Sequence, residues 1–270
     1  MIPLGEIDDF RECPFRVRMD EDMGRLAESI REMGVITPLL VRKKEDGRYE
    51  TVSGHRRKKA AEMAGLEMIP AQVRELSRDQ AIIIMVDSNL HRSEILPSEK
   101  AFAYKMKLEA MNRQGMRTDL TLCPADTKWD SGRELAKKEG ASRRQIFRYI
   151  RLTELTPELL ALVDEKKIGM RPAVELSYLT LREQRYLYDA IGYNDATPSH
   201  AQAIRMKNFS REGRLSNEVI ASIMMEEKPN QKEKISLSCA RVRKYIPESV
   251  PYEKTADYIY RALEYYRQHL

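Results

Sequence analysis

The chain has 270 residues, of which 42% are hydrophobic and 33% charged, and its 47 Lys and Arg against 42 Asp and Glu give a net charge of +5. This length predicts about two domains, and the composition is typical of a globular, helix-rich protein. No apolar run reaches the roughly 18 residues that a membrane span needs, and the N-terminus lacks the pattern of a signal peptide. The three cysteines lie far apart and the four histidines do not cluster, which excludes a disulfide framework and disfavours a zinc site. We therefore expect a cytoplasmic protein with mild affinity for polyanions.

The first third of the chain alternates between helical and strand patterns. Met23, Ala27 and Ile30 recur at helical spacing, and Asp46-Gly47 between two apolar runs is a hairpin signal. The patterns predict an irregular segment at 1–18, helices at 20–33, 55–64 and 77–89, and strands at 39–43, 48–53 and 68–74. This order of elements predicts an α+β domain.

From Pro97 onward the pattern is almost entirely helical, and a proline suits the first turn of a helix. The charged segment 226–234, which is broken by Pro229, has the composition of a linker. The pattern predicts a helix at 98–111, a loop at 115–128, a helix pair at 131–152 and further helices at 156–165, 170–179, 182–191, 200–208, 216–225 and 252–269.

The helix pair has the pattern of a helix-turn-helix. Ser131 with Glu134, and Ser142 with Gln145, have the spacing of capping boxes at two helix starts. Gly140 between them can end the first helix in a left-handed conformation. This arrangement predicts a second helix that enters the major groove of DNA.

The charge of the helix pair supports this hypothesis. It holds seven basic residues against two acidic ones, a net charge of +5 that equals that of the whole chain. Such a helix suits contacts to phosphates and base edges, although a helical hairpin with a solvated basic face would have the same pattern. The residues predicted to bind DNA are Arg133, Ser142, Arg143, Arg144, Gln145, Arg148 and Arg151.

A second basic motif, residues 53–57, lies where a predicted strand turns into a helix. Gly54 lets the backbone approach a ligand, and the helix start presents free N–H groups and the positive end of a dipole. Arg56 and Arg57 can each grip phosphate oxygens in pairs. The motif predicts an anion site, but a plain turn before a solvated basic helix would have the same residues.

A polar motif, residues 87–92, ends the helix predicted at 77–89. Asn89 offers a neutral oxygen to a hydrated Mg²⁺, and Arg92 offers a planar fork to phosphate. Taken alone, the motif favours an ordinary helix C-terminus, where Asn caps the helix and His91 and Arg92 complement its dipole.

The ordered set of motifs resembles the ParB family of plasmid and chromosome partition proteins. Residues 54–57 match the family's G-E-R-R box, residues 88–92 match its E-N-x-x-R box, and residues 169–173 match a segment behind the recognition helix. The resemblance covers residues 7–181. It implies an α+β ParB/sulfiredoxin-like N-terminal domain, an all-α helix-turn-helix domain and a small C-terminal tail domain, at 1–94, 95–228 and 235–270.

The resemblance implies a site-specific DNA-binding partition protein that binds CTP with Mg²⁺ and closes a dimer clamp on DNA. Gly54, Arg56 and Arg57 would hold the triphosphate, Asn89 would help to place Mg²⁺, and Arg92 would contact phosphate. The full set implied for nucleotide binding is Arg16, Arg18, Ser53, Gly54, His55, Arg56, Arg57, Asn89, His91 and Arg92.

Three positions depart from the family pattern. Residues 15–18 keep only part of the first box, N-P-x-Q-P-R, and His55 replaces the glutamate of G-E-R-R. Ser88 replaces the glutamate of E-N-x-x-R that is implicated in hydrolysis, which affects a CTPase activity more than binding. Asp87 is adjacent, but one residue on a helix turns a side chain by about 100°.

The resemblance also implies partners: double-stranded DNA, a second copy of the chain and a ParA-like ATPase. The chain starts almost directly at the first domain, so we expect a reduced arm for that ATPase. Ile259, Leu263 and Tyr266 form a stripe on the last predicted helix that could dimerise or fill a local core.

Two other functions fit the sequence. One is a helix-turn-helix transcriptional regulator, or a plasmid or mobile-element accessory protein, without a nucleotide switch. The other is a phosphotransferase on the same scaffold. Sulfiredoxin-like redox chemistry is disfavoured, because Gly54 stands where that family has its nucleophilic cysteine.

Overall fold

The structure, a computed structural model, describes residues 1–90, 92, 95–122, 131–226, 242–247, 250–251 and 254–269. The chain divides into two compact units, Met1–Met225 and Glu226–Leu270. The strands of the first unit are β1 (Ile2–Pro3), β2 (Ile7–Asp8), β3 (Leu39–Lys43), β4 (Tyr49–Ser53), β5 (Met68–Ile69) and β6 (Ala71–Arg74). Its helices are α1 (Glu21–Met33), α2 (His55–Ala64), α3 (Arg78–Leu90), α4 (Pro97–Leu122), α5 (Ser131–Lys138), α6 (Arg143–Arg151), α7 (Pro157–Asp164), α8 (Met170–Leu176), α9 (Leu181–Asn194), α10 (His200–Arg211) and α11 (Asn217–Met225).

A mixed four-stranded sheet, in the order β2-β4-β3-β6, forms the centre of the N-terminal part. β3 and β4 form an antiparallel hairpin with Val41 opposite Thr51, while β2 and β6 join β4 and β3 in parallel. The predicted turn is confirmed, because Gly47 has a φ of 85°, a conformation that glycine adopts at little cost.

The N-terminal segment is more regular than predicted. β1 pairs with β5, and β2 pairs with β4. The single strand predicted at 68–74 is two strands, because Pro70 between them has no N–H to give to a ladder. Strands of two residues have too few positions for an alternating pattern, so the sequence did not reveal them.

Apart from α4, the predicted helices are confirmed, with small shifts at their ends. Asp20 caps α1 by accepting a hydrogen bond from the backbone N of Met23 at 2.9 Å. Ser77 and Gln80 exchange both bonds of a capping box before α3. These local hydrogen bonds satisfy donors that a helix start leaves open.

One prediction is wrong, because α4 does not end near residue 111. It continues to Leu122 through much of the predicted loop, 115–128. A single glycine inside a helix costs only about 1 kcal/mol, and the next proline is Pro124. Nothing in the sequence therefore stops the helix earlier, and residues 123–128 lie outside the described part of the chain.

Three groups of buried apolar side chains stabilise the first unit. The first packs α1 and α2 against the sheet, and the third joins α7 to α11. The second group lies between α3 and α4 and includes Met85, Leu135 and Ile146, all fully buried. This second group contains side chains from both sides of the domain boundary expected between residues 94 and 95. The predicted domain limits therefore stay predictions.

A buried lysine joins α3, α4 and the helix-turn-helix. Lys107 on α4 is 1% exposed, and its Nζ contacts the carboxylates of Asp87 on α3 and Glu139 just after α5. The distance to Glu139 is 2.5 Å. An ammonium group is removed from water only where such partners compensate it. The three charges therefore fix α4 against both neighbours.

The second unit contains α12 (Thr255–Gln268), which confirms the predicted final helix. Of the predicted stripe, Leu263 and Tyr266 are exposed on it, whereas Ile259 is half-buried, and the role of the three residues in dimerisation stays a prediction. In the part of the chain that the structure describes, no helix is both long and apolar enough to cross a bilayer.

We expect Lys107→Met to lower the free energy of unfolding by about 3 kcal/mol, because Glu139 would stay buried without its cation. Chemical unfolding of the full chain measures this change. Lys107→Met combined with Glu139→Gln should recover part of the loss.

The matched control is Lys105→Met, since the pair of Lys105 with Glu154 lies at the surface. This control should change the free energy of unfolding by less than about 1 kcal/mol. Equal, small losses in the two single variants would contradict the structural role of Lys107.

Candidate functional site

A polar cavity of about 500 Å³ opens beside the start of α2. Three parts of the chain form it: the segment leading into α1, the first turn of α2 and the segment between α3 and α4. Its lining residues are Phe15, Arg16, Arg18, Asp20, Asp22, Arg56, Arg92, Ile95 and Glu99.

Four arginines predicted for ligand binding, Arg16, Arg18, Arg56 and Arg92, lie together in this lining. Burial, and then the positive charge of Arg56, lower the pKa of the Arg92 guanidinium. Like charges held near each other favour a bound anion that would neutralise both. The cavity therefore offers four guanidinium groups to an anion, beside the three carboxylates of its lining.

Acidic lining residues, which the sequence did not indicate, position the cationic ones. Glu99 accepts hydrogen bonds from the backbone N of Arg16 at 2.9 Å and of Leu96 at 3.1 Å. Asp20 lies 3.6 Å from the guanidinium of Arg56. The contact between Glu99 and Arg16 joins segments 83 residues apart, and no local pattern predicts such a pair.

Gly54 is required at the start of α2. Its φ is 102°, and a Cβ there would lie 2.5 Å from Cδ2 of Leu39. The first hydrogen bond of the helix runs from the backbone N of Lys58 to the Gly54 carbonyl. The backbone N–H groups that precede Lys58 in the first turn of α2 have no acceptor within the helix and can bind another group.

Arg57 and Ser53 are not among the described residues that line the cavity. The Arg57 guanidinium donates to the carbonyl oxygens of Thr37 and Pro38, at 2.5 and 2.7 Å. Partial burial lowers its pKa. In this structure Arg57 therefore supports the loop before β3, and its predicted contact with a triphosphate stays a prediction.

His55 is buried and is not among the described residues that line the cavity. Burial lowers the pKa of its imidazole to about 4, so the ring is neutral at neutral pH. Its Nε2 lies 4.0 Å from Sγ of Cys13, whose pKa burial raises. The neutral ring and the protonated thiol form a long, weak hydrogen bond rather than a reactive ion pair.

Asn89 is 2% exposed at the end of α3. Its Nδ2 donates to the Met85 carbonyl at 2.7 Å, while its buried Oδ1 has no hydrogen-bond partner among the described residues. Ser88 Oγ also donates to the Met85 carbonyl, at 2.9 Å. Asn89 therefore keeps one unpaired acceptor, but it is not among the described residues that line the cavity. His91 lies outside the described residues.

The helix-turn-helix is confirmed in α5 and α6. Gly140 has a φ of 59° in the turn, and Ser142 caps α6 by accepting from the backbone N of Gln145 at 3.1 Å. The capping box predicted at Ser131 does not form. Ser131 is the first helical residue, with a buried Oγ that has no partner among the described residues, and Glu134 pairs with Lys138 instead.

The outer surface of α6 is basic. Ile146 is fully buried with Leu135, which turns the opposite face of the helix outward. Four residues that were predicted to bind DNA are exposed on α6 and a fifth on α5, namely Arg143, Arg144, Gln145, Arg148 and Arg133.

Arg151 is placed differently, at the half-buried end of α6. Its guanidinium donates to Oγ and the carbonyl of Ser177, at 3.1 and 2.7 Å. It also lies 4.1 Å from the ring centroid of Tyr178, and Lys207 Nζ lies 4.7 Å from the same ring. Arg151 thus fixes the end of α6 to the helices that follow.

The chain combines an α+β part that carries an arginine-lined cavity with a basic helix-turn-helix that follows it in the sequence. The model of the ParB N-terminal domain matches residues 1–90, and that of the ParB helix-turn-helix domain matches residues 128–205. The chromosome-partitioning protein Spo0J of Thermus thermophilus is 31% identical over 204 residues, which cover 76% of this chain and 69% of that protein. The chain belongs to the ParB family.

Two further relatives extend this comparison. The stage 0 sporulation protein J of Bacillus subtilis is 36% identical over 168 residues, and the match covers 61% of this chain and only 53% of that protein. The C-terminally truncated ParB of Caulobacter crescentus, complexed to the centromeric parS site, is 24% identical with a TM-score of 0.44, over 78% of this chain and 97% of that one. The same protein complexed with CTP-gamma-S is 28% identical with a TM-score of 0.32, over 70% and 96% of the two chains.

We expect the stability of the chain to fall as the pH falls from about 7 to about 5, in part through His55. The folded pKa of about 4 lies below the ordinary value of 6.5, so the unfolded state binds the proton first. The stabilisation is complete above the ordinary pKa and is lost as the pH falls toward the folded one. Over this interval His55 should contribute about 2 kcal/mol.

Chemical unfolding of wild type and His55→Asn at the two pH values isolates this contribution. The variant should lose less stability between them, by about that amount. The same pH dependence in both proteins would show that His55 is not buried in its neutral form.

Proposed function

We propose that the chain is a site-specific DNA-binding partition protein whose N-terminal cavity binds CTP and whose helix-turn-helix binds duplex DNA. The single observation that carries the first half is the convergence of Arg16, Arg18, Arg56 and Arg92 on one cavity. Family membership supports both halves, since a ParB relative forms complexes with a parS site and with CTP-gamma-S.

The cavity suits a nucleoside triphosphate in size and charge. Its volume of about 500 Å³ is within the range of small-molecule sites, roughly 300–1,000 Å³. Planar guanidinium groups bind phosphate oxygens in pairs. The start of α2, opened by Gly54, lies beside Arg56 and offers backbone N–H groups to the same anion.

The chain's own contribution to a Mg²⁺ site would be small. The described residues contain no group of three or more His, Cys, Asp or Glu side chains placed to hold a metal. Mg²⁺ bound with a nucleotide takes most of its ligands from phosphates and water. Asn89, with its unpaired buried Oδ1, would supply one neutral oxygen or hold a bound water.

We also propose that the chain acts as a clamp on DNA. CTP binding would close a dimer of the chain around DNA, with α6 in the major groove during loading. Lys107 connects α3, which carries Asn89, to Glu139 beside the turn of the helix-turn-helix. A ParA-like ATPase would be the further partner.

Two observations favour a second candidate, a helix-turn-helix regulator or mobile-element accessory protein without a nucleotide switch. Arg57 is engaged by Thr37 and Pro38, and Ser88 stands in the place of the family's glutamate. Both features weaken a nucleotide cycle, and neither involves a residue of the helix-turn-helix.

We expect CTP to bind the full chain in the presence of Mg²⁺, and Arg56→Ala and Arg92→Ala each to weaken it roughly 10- to 100-fold. That factor corresponds to one lost charge-assisted pair of hydrogen bonds. Isothermal titration calorimetry measures the affinity. Binding to a short duplex should stay unchanged, because these arginines lie away from α6.

The matched control is Arg25→Ala, which removes an exposed arginine of α1 that pairs only at the surface with Glu21. It should leave CTP binding unchanged. Absence of nucleotide binding by wild type, with DNA binding retained, would favour the regulator. Equal affinity for all four nucleoside triphosphates would refute the preference for cytosine.

We expect Arg144→Ala and Arg148→Ala to weaken duplex binding and to reduce its dependence on salt. Each lost phosphate contact should lower the slope of log K against log salt by about 0.9. Fluorescence anisotropy over a series of salt concentrations measures the slope. An unchanged slope in both variants would mean that α6 does not lie on the DNA.

A further inference from the structure

The recognition helix exposes one large aromatic side chain. Phe147 on α6 is 41% exposed, next to the exposed Arg148. Its neighbour Ile146 is fully buried and packs with Leu135 in the second group of core residues. Ile146, with Tyr149 and Ile150 packed against the same group, therefore makes the hydrophobic contact of α6, and Phe147 is not part of it.

An aromatic residue is a poor choice for a merely solvated position of a helix. Phenylalanine has a lower helix propensity than arginine or lysine, and its exposed ring keeps apolar surface in water. A ligand that covers the ring would offset both costs. The surrounding surface is basic, with Arg143, Arg144 and Arg148 exposed on the same helix, so the ligand that this surface attracts is a polyanion.

Arg143 lies against the ring. Its Cζ is 5.3 Å from the ring centroid of Phe147, and residues four apart are neighbours on a helix surface. A cation over an aromatic face is held there by the ring quadrupole. The pair therefore presents an apolar edge and a planar group of hydrogen-bond donors side by side.

We propose that Phe147 is a specificity-determining residue that contacts the C5 methyl group of a thymine, beside a guanine bound by Arg143. In the major groove only thymine carries this methyl group, and guanine O6 and N7 accept an arginine fork. Arg143 is the first and Phe147 the fifth of the nine residues of α6, and the N-terminal residues of a recognition helix contact base edges. This inference rests on the proposed DNA binding and names the base step that is read.

The test begins with selection of sites by the full chain from a random duplex library. Each thymine of the selected site is then replaced in turn by deoxyuridine, which removes only the methyl group. We expect one thymine, next to a guanine, at which the replacement weakens wild-type binding about fourfold, the worth of one buried methyl group. Phe147→Ala should bind the two duplexes equally, and Phe147→Leu should retain part of the difference.

The matched control is Phe102→Ala, which removes a phenylalanine that is 43% exposed on α4. It should keep the wild-type response to deoxyuridine, and circular dichroism establishes that each variant is folded. The inference is overturned if wild type does not distinguish thymine from deoxyuridine at any position, or if Phe147→Ala keeps the difference. Selection of no site at all would instead refute the proposed DNA binding.

Discussion

The buried ammonium group of Lys107 is the contact on which the arrangement of the first unit depends. Apolar packing between α3, α4 and the helix-turn-helix is non-directional, whereas Lys107 has to meet both Asp87 and Glu139. Breaking a buried pair by removing one partner is strongly unfavourable, because it leaves an uncompensated charge. One register of α4 between its neighbours is therefore favoured over others with similar apolar contacts.

Local signals in the sequence were sufficient for most of the fold. Asp20, Ser77 and Ser142 cap helices where the sequence placed helix starts, because a cap needs only a few neighbouring residues. The two-residue strands β1 and β2 were missed, since their pairing comes from distant segments. The sequence does not reveal the long end of α4, because polar residues and a proline are typical of a loop, whereas Pro124 lies just beyond the end of the helix.

In the candidate site, too, short motifs indicate some residues, while contacts between distant segments place the others. Arg56 and Arg92 were predicted from short motifs, and both line the cavity. Arg57 belongs to the same motif as Arg56, but its side chain is held by the carbonyl groups of Thr37 and Pro38. No sequence pattern could separate the two arginines, because the difference lies in a loop some 20 residues away. The contacts of Glu99 with Arg16 and of Lys107 with Asp87 and Glu139 join distant segments, so no local pattern indicates them.

The tie between Arg151, Ser177 and Tyr178 has a consequence for engineering. Because the end of α6 is bonded to the segment after α8, the tilt of α6 depends on residues outside the helix-turn-helix. Grafting α6 alone onto a relative would transfer its side chains but not the contacts that set their orientation. A chimera that exchanges DNA preference between relatives should therefore carry the whole block from α5 through Tyr178, with Lys207 opposite the same ring.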